Sequence, residues 1–182
     1  MQTTTLPNST QRLMVTGLFP DRQSAEAAFE AAHARGYGRD DVNLVMSEAT
    51  RNMHFVGTTA GRETELGNKA AEGAGIGGAI GGTVGAILAA IAAVGTSLVL
   101  PGLGLIIAGP LAAAVAGAGA GAASGGLIGA LIGWSIPEER VKEYEEGIKN
   151  GGILMGLRAK NEEDAVHFEN QWRNNRGAHI YR

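Results

Sequence analysis

The residues able to do chemistry are few, and their spacing does not favour it. His33, His54, His167 and His179 have no mutual separation that would place two imidazoles on one metal ion. His33 and His167 fall on stretches of helical pattern beside charged residues, where an imidazole ordinarily sits in water. Glu143, Glu145 and Glu146 surround Tyr144, a grouping expected of a wet helix face rather than of a general acid and base. The chain has no cysteine, which removes disulfides, thiol nucleophiles and thiolate metal sites together. Gly73-Ala74-Gly75-Ile76-Gly77-Gly78 fits the G-x-G-x-x-G pattern, but no strand is expected before it and no acid follows at ribose-binding distance. In so glycine-rich a stretch the match arises by chance, and no lysine follows a glycine run as a phosphate-binding loop requires. The expectation is a non-enzymatic chain with no catalytic residue, no cofactor-binding residue and no metal ligand.

Composition narrows the remaining classes. The 182 residues carry 15 basic and 18 acidic side chains, a formal net charge of −3 that gives nucleic-acid binding no electrostatic support. Residues 1–11 are polar, lack a basic cluster followed by an apolar run, and are expected to be a disordered N-terminus rather than a signal peptide. Asn8-Ser9-Thr10 is a glycosylation acceptor pattern without an export signal to make it relevant.

The elements that must position whatever function exists fall into three regions. In the first, 12–68, Leu13 to Phe19 reads as a strand and Asp21 as a helix N-cap. Ala25, Ala28, Phe29 and Ala32 mark the apolar face of a helix to about Arg35, with Gly36 as its C′ residue. Val42 to Met46 reads as a second strand, with Met46 in the core. Ser47 to Leu66 reads as a loop with at most a short strand at His54 to Val56.

The last region, 136–182, opens on Ser135-Ile136-Pro137-Glu138, a capping-box spacing. Val141, Tyr144 and Ile148 then define a helix to about Lys149. Ile153 to Ala159 reads as a strand, with Met155 in the core. Asn161 caps a helix whose apolar face is Ala165, Phe168 and Trp172, and Ala178 to Tyr181 reads as a closing strand. Gly17-Leu18 with Gly36, and Gly156-Leu157 with Gly177, make the two ends look like copies of one β-α-β unit. Joined, they predict an α+β domain of ferredoxin-like split β-α-β halves, a four-stranded sheet with helices on one face.

Between them, 69–135 is expected to be a glycine-zipper helical hairpin inserted into that domain. From Gly73 to Pro137 there is no Asp, Glu, Lys, Arg or His. Gly73, Gly77, Gly81 and Gly85 recur every fourth residue, as do Gly117, Gly121, Gly125, Gly129 and Gly133. That period lines up one helical face, so each ladder is a groove bare of side chains. Nine helical glycines cost on the order of 9 kcal/mol, which only close backbone packing offsets. Leu100-Pro101-Gly102-Leu103-Gly104 breaks the stretch into a helix from about Lys69 to Val99 and another from about Leu105 to Trp134. Each reaches about 45 Å, enough to span a hydrocarbon core of about 30 Å.

Arg62 and Lys69 flank the entry and Arg140 and Lys142 the exit, which would keep the folded domain cytoplasmic and the hairpin in membrane lipid. A soluble homo-oligomer burying the same hairpins in a shared core is the alternative. A small-ligand sensor using the open face of the sheet is a third reading.

The chain resembles bacterial general-stress and low-temperature-induced proteins. The similarity lies in Val15-Thr16-Gly17-Leu18-Phe19, Ser24-Ala25-Glu26-Ala27-Ala28, Ile136-Pro137-Glu138-Glu139-Arg140, Tyr144-Glu145-Glu146-Gly147, Gly151-Gly152-Ile153-Leu154 and Gly177-Ala178. That family carries a comparable glycine-zipper hairpin between such motifs. The resemblance implies a stress-associated, membrane-associated protein without established catalysis, and it supplies no catalytic residues. The resulting expectation is a membrane-associated homo-oligomer, with Gly81, Gly85, Gly121 and Gly125 as packing residues.

Overall fold

Two seven-residue strands lie side by side at the centre of the sheet. The computed structural model describes residues 13–55, 97–100, 104–110, 112, 131 and 136–182. β1 (Leu13–Phe19) and β5 (Ile153–Ala159) run antiparallel, with Thr16 opposite Gly156 and Gly17 opposite Met155. Each feeds a capped helix. Asp21, in extended backbone, accepts from the Ser24 amide at 2.8 Å to start α1 (Arg22–His33). Asn161, equally extended, accepts from the Asp164 amide at 2.7 Å to start α4 (Glu162–Asn174). After these helices come β2 (Val42–Ser47) and β6 (Ala178–Tyr181). The uncharged region supplies β3 (Ser97–Leu100) and β4 (Leu105–Ala108). Among the described residues the sheet has six strands in the order β3-β4-β2-β5-β1-β6, and every neighbouring pair is antiparallel.

Alternation along the strands divides the core in two. Val15 and Phe19 of β1, Val42, Leu44 and Met46 of β2, and Ile153, Met155, Leu157 and Ala159 of β5 join α1 and α4 in one cluster. Trp172 is its largest side chain; its ring meets Phe19 edge-on at 5.4 Å and its indole N–H donates to the Ala28 carbonyl at 3.2 Å. A Cβ on Gly17 would lie 2.9 Å from that indole, so β1 carries a glycine where Trp172 presses on the sheet. The opposite face holds Val45, Leu105, Ile107 and Leu154 under α3 (Glu138–Lys149), which buries Val141, Tyr144 and Ile148.

Several sequence expectations are corrected. The strands Leu13–Phe19, Ile153–Ala159 and Ala178–Tyr181 and the helix ending at Lys149 stand as expected, and Met46 and Met155 are fully buried. The sheet has six strands rather than four, because the middle of the uncharged stretch adds a hairpin to β2. The helices expected to reach Val99 and to begin at Leu105 give way there to β3 and β4, whose register pairs Ser97 with Ala108 and Leu100 with Leu105. Helices lie on both faces, since α3 covers the face expected to be open. Ser47 accepts from the Thr50 amide at 3.0 Å and starts α2 (Glu48–His54), where a loop and a short strand were expected.

α3 has Pro137 at its N-cap position and no side-chain cap, while Ser135 of the expected capping box lies outside the described residues. The Ile136 amide donates to the Leu131 carbonyl at 3.2 Å. Each half runs strand, capped helix, strand, and the two correspond one residue out from the glycine alignment. Phe19 matches Ala159 and Asp21 matches Asn161, so Gly17 corresponds to Leu157 on one face and Gly156 to Thr16 on the other. A single-residue slip exchanges faces. Likewise the left-handed position of Gly36 (φ 78°) is taken in the second half by Arg176 (φ 62°), not by Gly177. Residues 1–11, the rest of the loop beyond Phe55, Trp134 and all nine ladder glycines lie outside the described residues.

Candidate functional site

The second face of the sheet is where chemistry-bearing side chains and the roots of the uncharged stretch meet. At its β6 end, the Tyr144 hydroxyl donates to the His179 carbonyl at 2.9 Å and lies 2.8 Å from the Thr16 hydroxyl. With its own proton committed, the tyrosine oxygen accepts from Thr16. Burial pushes the Tyr144 phenol up to about 12, and the Thr16 hydrogen bond only partly opposes it. This tyrosine stays neutral at physiological pH and is a fixed donor, not a base.

Glu143, one residue earlier on α3, accepts from the Tyr181 hydroxyl at 2.9 Å and lies 3.0 Å from His179 Nδ1. The Glu143 hydrogen bond raises the Tyr181 phenol above its ordinary value. The Arg140 guanidinium sits 3.9 Å from the centre of the Tyr181 ring, a cation–π contact at the rim. Together these groups fasten edge strand β6 to α3. Glu145 pairs with Lys149 at 2.6 Å one turn on, and Glu146 is exposed, so the acidic trio divides among separate tasks.

A second polar cluster ties the halves together on the other face. The Tyr37 hydroxyl donates to Asp164 Oδ2 at 2.6 Å and accepts from the Lys160 amide at 2.9 Å. Asp164 also pairs with Arg35 and accepts from the Asn161 amide group at 3.2 Å. Lys160 Nζ lies 4.3 Å from the Tyr37 ring and donates to the Gly36 carbonyl at 2.9 Å. The Tyr37 hydrogen bond, then Arg35, hold the Asp164 carboxyl below its usual range. Burial and Asp164 push Tyr37 up to about 12. Sequence reasoning missed Tyr37 and Asp164. The signal available was an acid at the third position of a capped helix and a tyrosine directly after a C′ glycine.

The remaining histidines are dispersed. His33 is exposed at the end of α1, His167 sits edge-on to Phe168 at 5.6 Å, and the His54 carbonyl accepts from Arg22 at 2.6 Å. Among the described residues no three His, Cys, Asp or Glu side chains are grouped to hold a metal ion.

The apolar half of the second face is where the uncharged stretch enters and leaves. Ala112, just past β4, and Leu131, just before α3, are both buried there with Leu105, Ile107, Val45 and Leu154. Gly109 makes the turn out of β4 with φ 107°; a Cβ there would lie 2.6 Å from the Val42 carbonyl oxygen, so only glycine allows this approach. No described helix is long and apolar enough to cross a membrane. Comparison of the chain with family models, with curated proteins and with solved structures finds no match.

Proposed function

We propose that this chain is a non-enzymatic, stress-associated protein that self-associates through its glycine-laddered stretch and works against membrane lipid from the cytoplasmic side. The observation that carries the reading is the burial of Ala112 and Leu131 in one cluster on the second face. Residues 113–130, with Gly117, Gly121, Gly125 and Gly129, are thereby tied to the folded domain at both ends. Small residues at a four-residue period favour close backbone packing against a like partner. The clustered polar groups spend their hydrogen bonds on one another, which suits a support rather than a reaction centre. The stress association rests on the resemblance of the motifs flanking the uncharged stretch. The order β2-β5-β1-β6, with α1 and α4 on one face, supports reading the central domain as ferredoxin-like.

The test is detergent-free fractionation followed by sizing of the intact particle. Sedimentation with membranes as a homo-oligomer is expected. A monomer in the soluble pool would overturn the proposal. A large soluble particle would favour the second reading, a scaffold whose uncharged stretches form a shared core, which the burial of Ala112 and Leu131 within the domain also favours.

A further inference from the structure

We infer that the uncharged stretch does not traverse a bilayer, and that whatever lipid contact it makes is with one leaflet, from the side of the folded domain. The inference refines the membrane reading proposed above. It turns on where the middle of the stretch is held.

A hairpin of two spanning helices would leave its tip, Leu100 to Gly104, across the membrane from the domain. The tip is instead built into the domain's own sheet. β3 pairs with β4, and β4 pairs with β2 from Leu44 opposite Ala108 to Ser47 opposite Leu105. The Glu48 amide at the start of α2 donates to the Gly104 carbonyl at 2.7 Å. Ile106, Ile107 and Ala108 are fully or almost fully buried, so this strand belongs to the core.

The chain therefore leaves the domain and returns to it twice, and each excursion must cross an even number of times. The first runs from Phe55, buried in the α1/α4 cluster, to Ser97. Its early part carries Arg62, Glu63, Glu65, Lys69 and Glu72, which do not enter hydrocarbon cheaply. That leaves 73–96, about 24 residues, with a reach of about 36 Å even as one continuous helix. One crossing needs about 30 Å and two need about 60 Å. The second excursion, 113–130 between buried Ala112 and Leu131, is shorter still: about 18 residues and about 27 Å. A more extended backbone would gain length, but an open strand leaves its polar groups unsatisfied in lipid. Neither stretch can go and return. A chain that must leave and return can go no deeper than half its length, here about 13 to 18 Å, the depth of one leaflet.

The absence of cysteine makes the test direct. Single cysteines are placed at Glu30, exposed on α1, and at the tip by Glu30→Cys and Gly104→Cys. Gly104 is exposed with open space around a Cβ but has φ 60°, so Gly102→Cys is a second tip variant. Sealed right-side-out and inverted vesicles from expressing cells, and the soluble pool, are treated with a membrane-impermeant maleimide. Tip and domain cysteines reacting from the same side are the expected result. A tip cysteine that reacts from the side opposite Glu30→Cys would overturn the inference. Sedimentation of the same samples reports separately on membrane association: a protein found only in the soluble pool, with both cysteines reactive, sinks the lipid reading and leaves the one-sided tip standing.

Discussion

Tyr144 shows how much rests on a single hydroxyl. It is fully buried, donates to the His179 carbonyl and accepts from Thr16. Tyr144→Phe leaves a carbonyl and a hydroxyl without that partner, and unfolding free energy should fall by about 1–3 kcal/mol, read as a lower urea midpoint at unchanged slope. Gly109 is constrained from the opposite direction, by the absence of a side chain. Gly109→Ala should cost at least about 1–3 kcal/mol, because φ 107° and the Val42 carbonyl at 2.6 Å both exclude a Cβ. An Ala variant with a wild-type denaturation curve would show that β4 can leave β2 without loss.

At the scale of elements, the link between the C-terminal end of α1 and the N-terminal end of α4 should set the pH limits of stability. Asp164 titrates below the ordinary carboxylate value of 3.8 because Tyr37 and Arg35 favour its charged form. A lowered folded value means this contribution is present above that pH and is lost as the pH falls through the folded value. Tyr37 behaves oppositely. Its neutral form is favoured up to about 12, so its contribution is present below pH 10 and fades as the pH rises from 10 towards 12. Asp164→Asn should therefore flatten the acid limb of a stability–pH profile and lower stability at neutral pH. Tyr37→Phe should remove part of the alkaline limb. An Asn variant that keeps the wild-type acid limb would place that sensitivity elsewhere, for instance at Asp21, whose carboxyl is also held low.

For the whole molecule, the glycine ladders and the sheet make separable demands. Gly81→Leu or Gly125→Leu fills a bare groove and should reduce or abolish the oligomer in sizing experiments. The far-UV spectrum should keep the signature of the folded domain, since neither ladder residue belongs to the strands β1 to β6. Unchanged particle size in both variants would remove the glycine stripes from the assembly. The one-sided placement of the tip would be unaffected, because it depends on the pairing of β4 with β2.

The local elements at both ends of the chain were legible in the sequence because short-range physics fixes them. Asp21 and Asn161 cap their helices, the alternation in Leu13–Phe19 and Ile153–Ala159 makes strands, and Ala25, Phe29, Phe168 and Trp172 mark the buried helical faces. What only the tertiary structure decided is the fate of Ser97–Leu100 and Leu105–Ala108. Uncharged apolar runs that short suit a helix or a buried strand equally by period. The choice was made by β2, whose free edge offered backbone hydrogen bonds that no local signal in the run could reveal. The same holds for α3, whose apolar stripe is plain but whose side of the sheet follows from Thr16, Leu18 and Val45 facing away from Trp172.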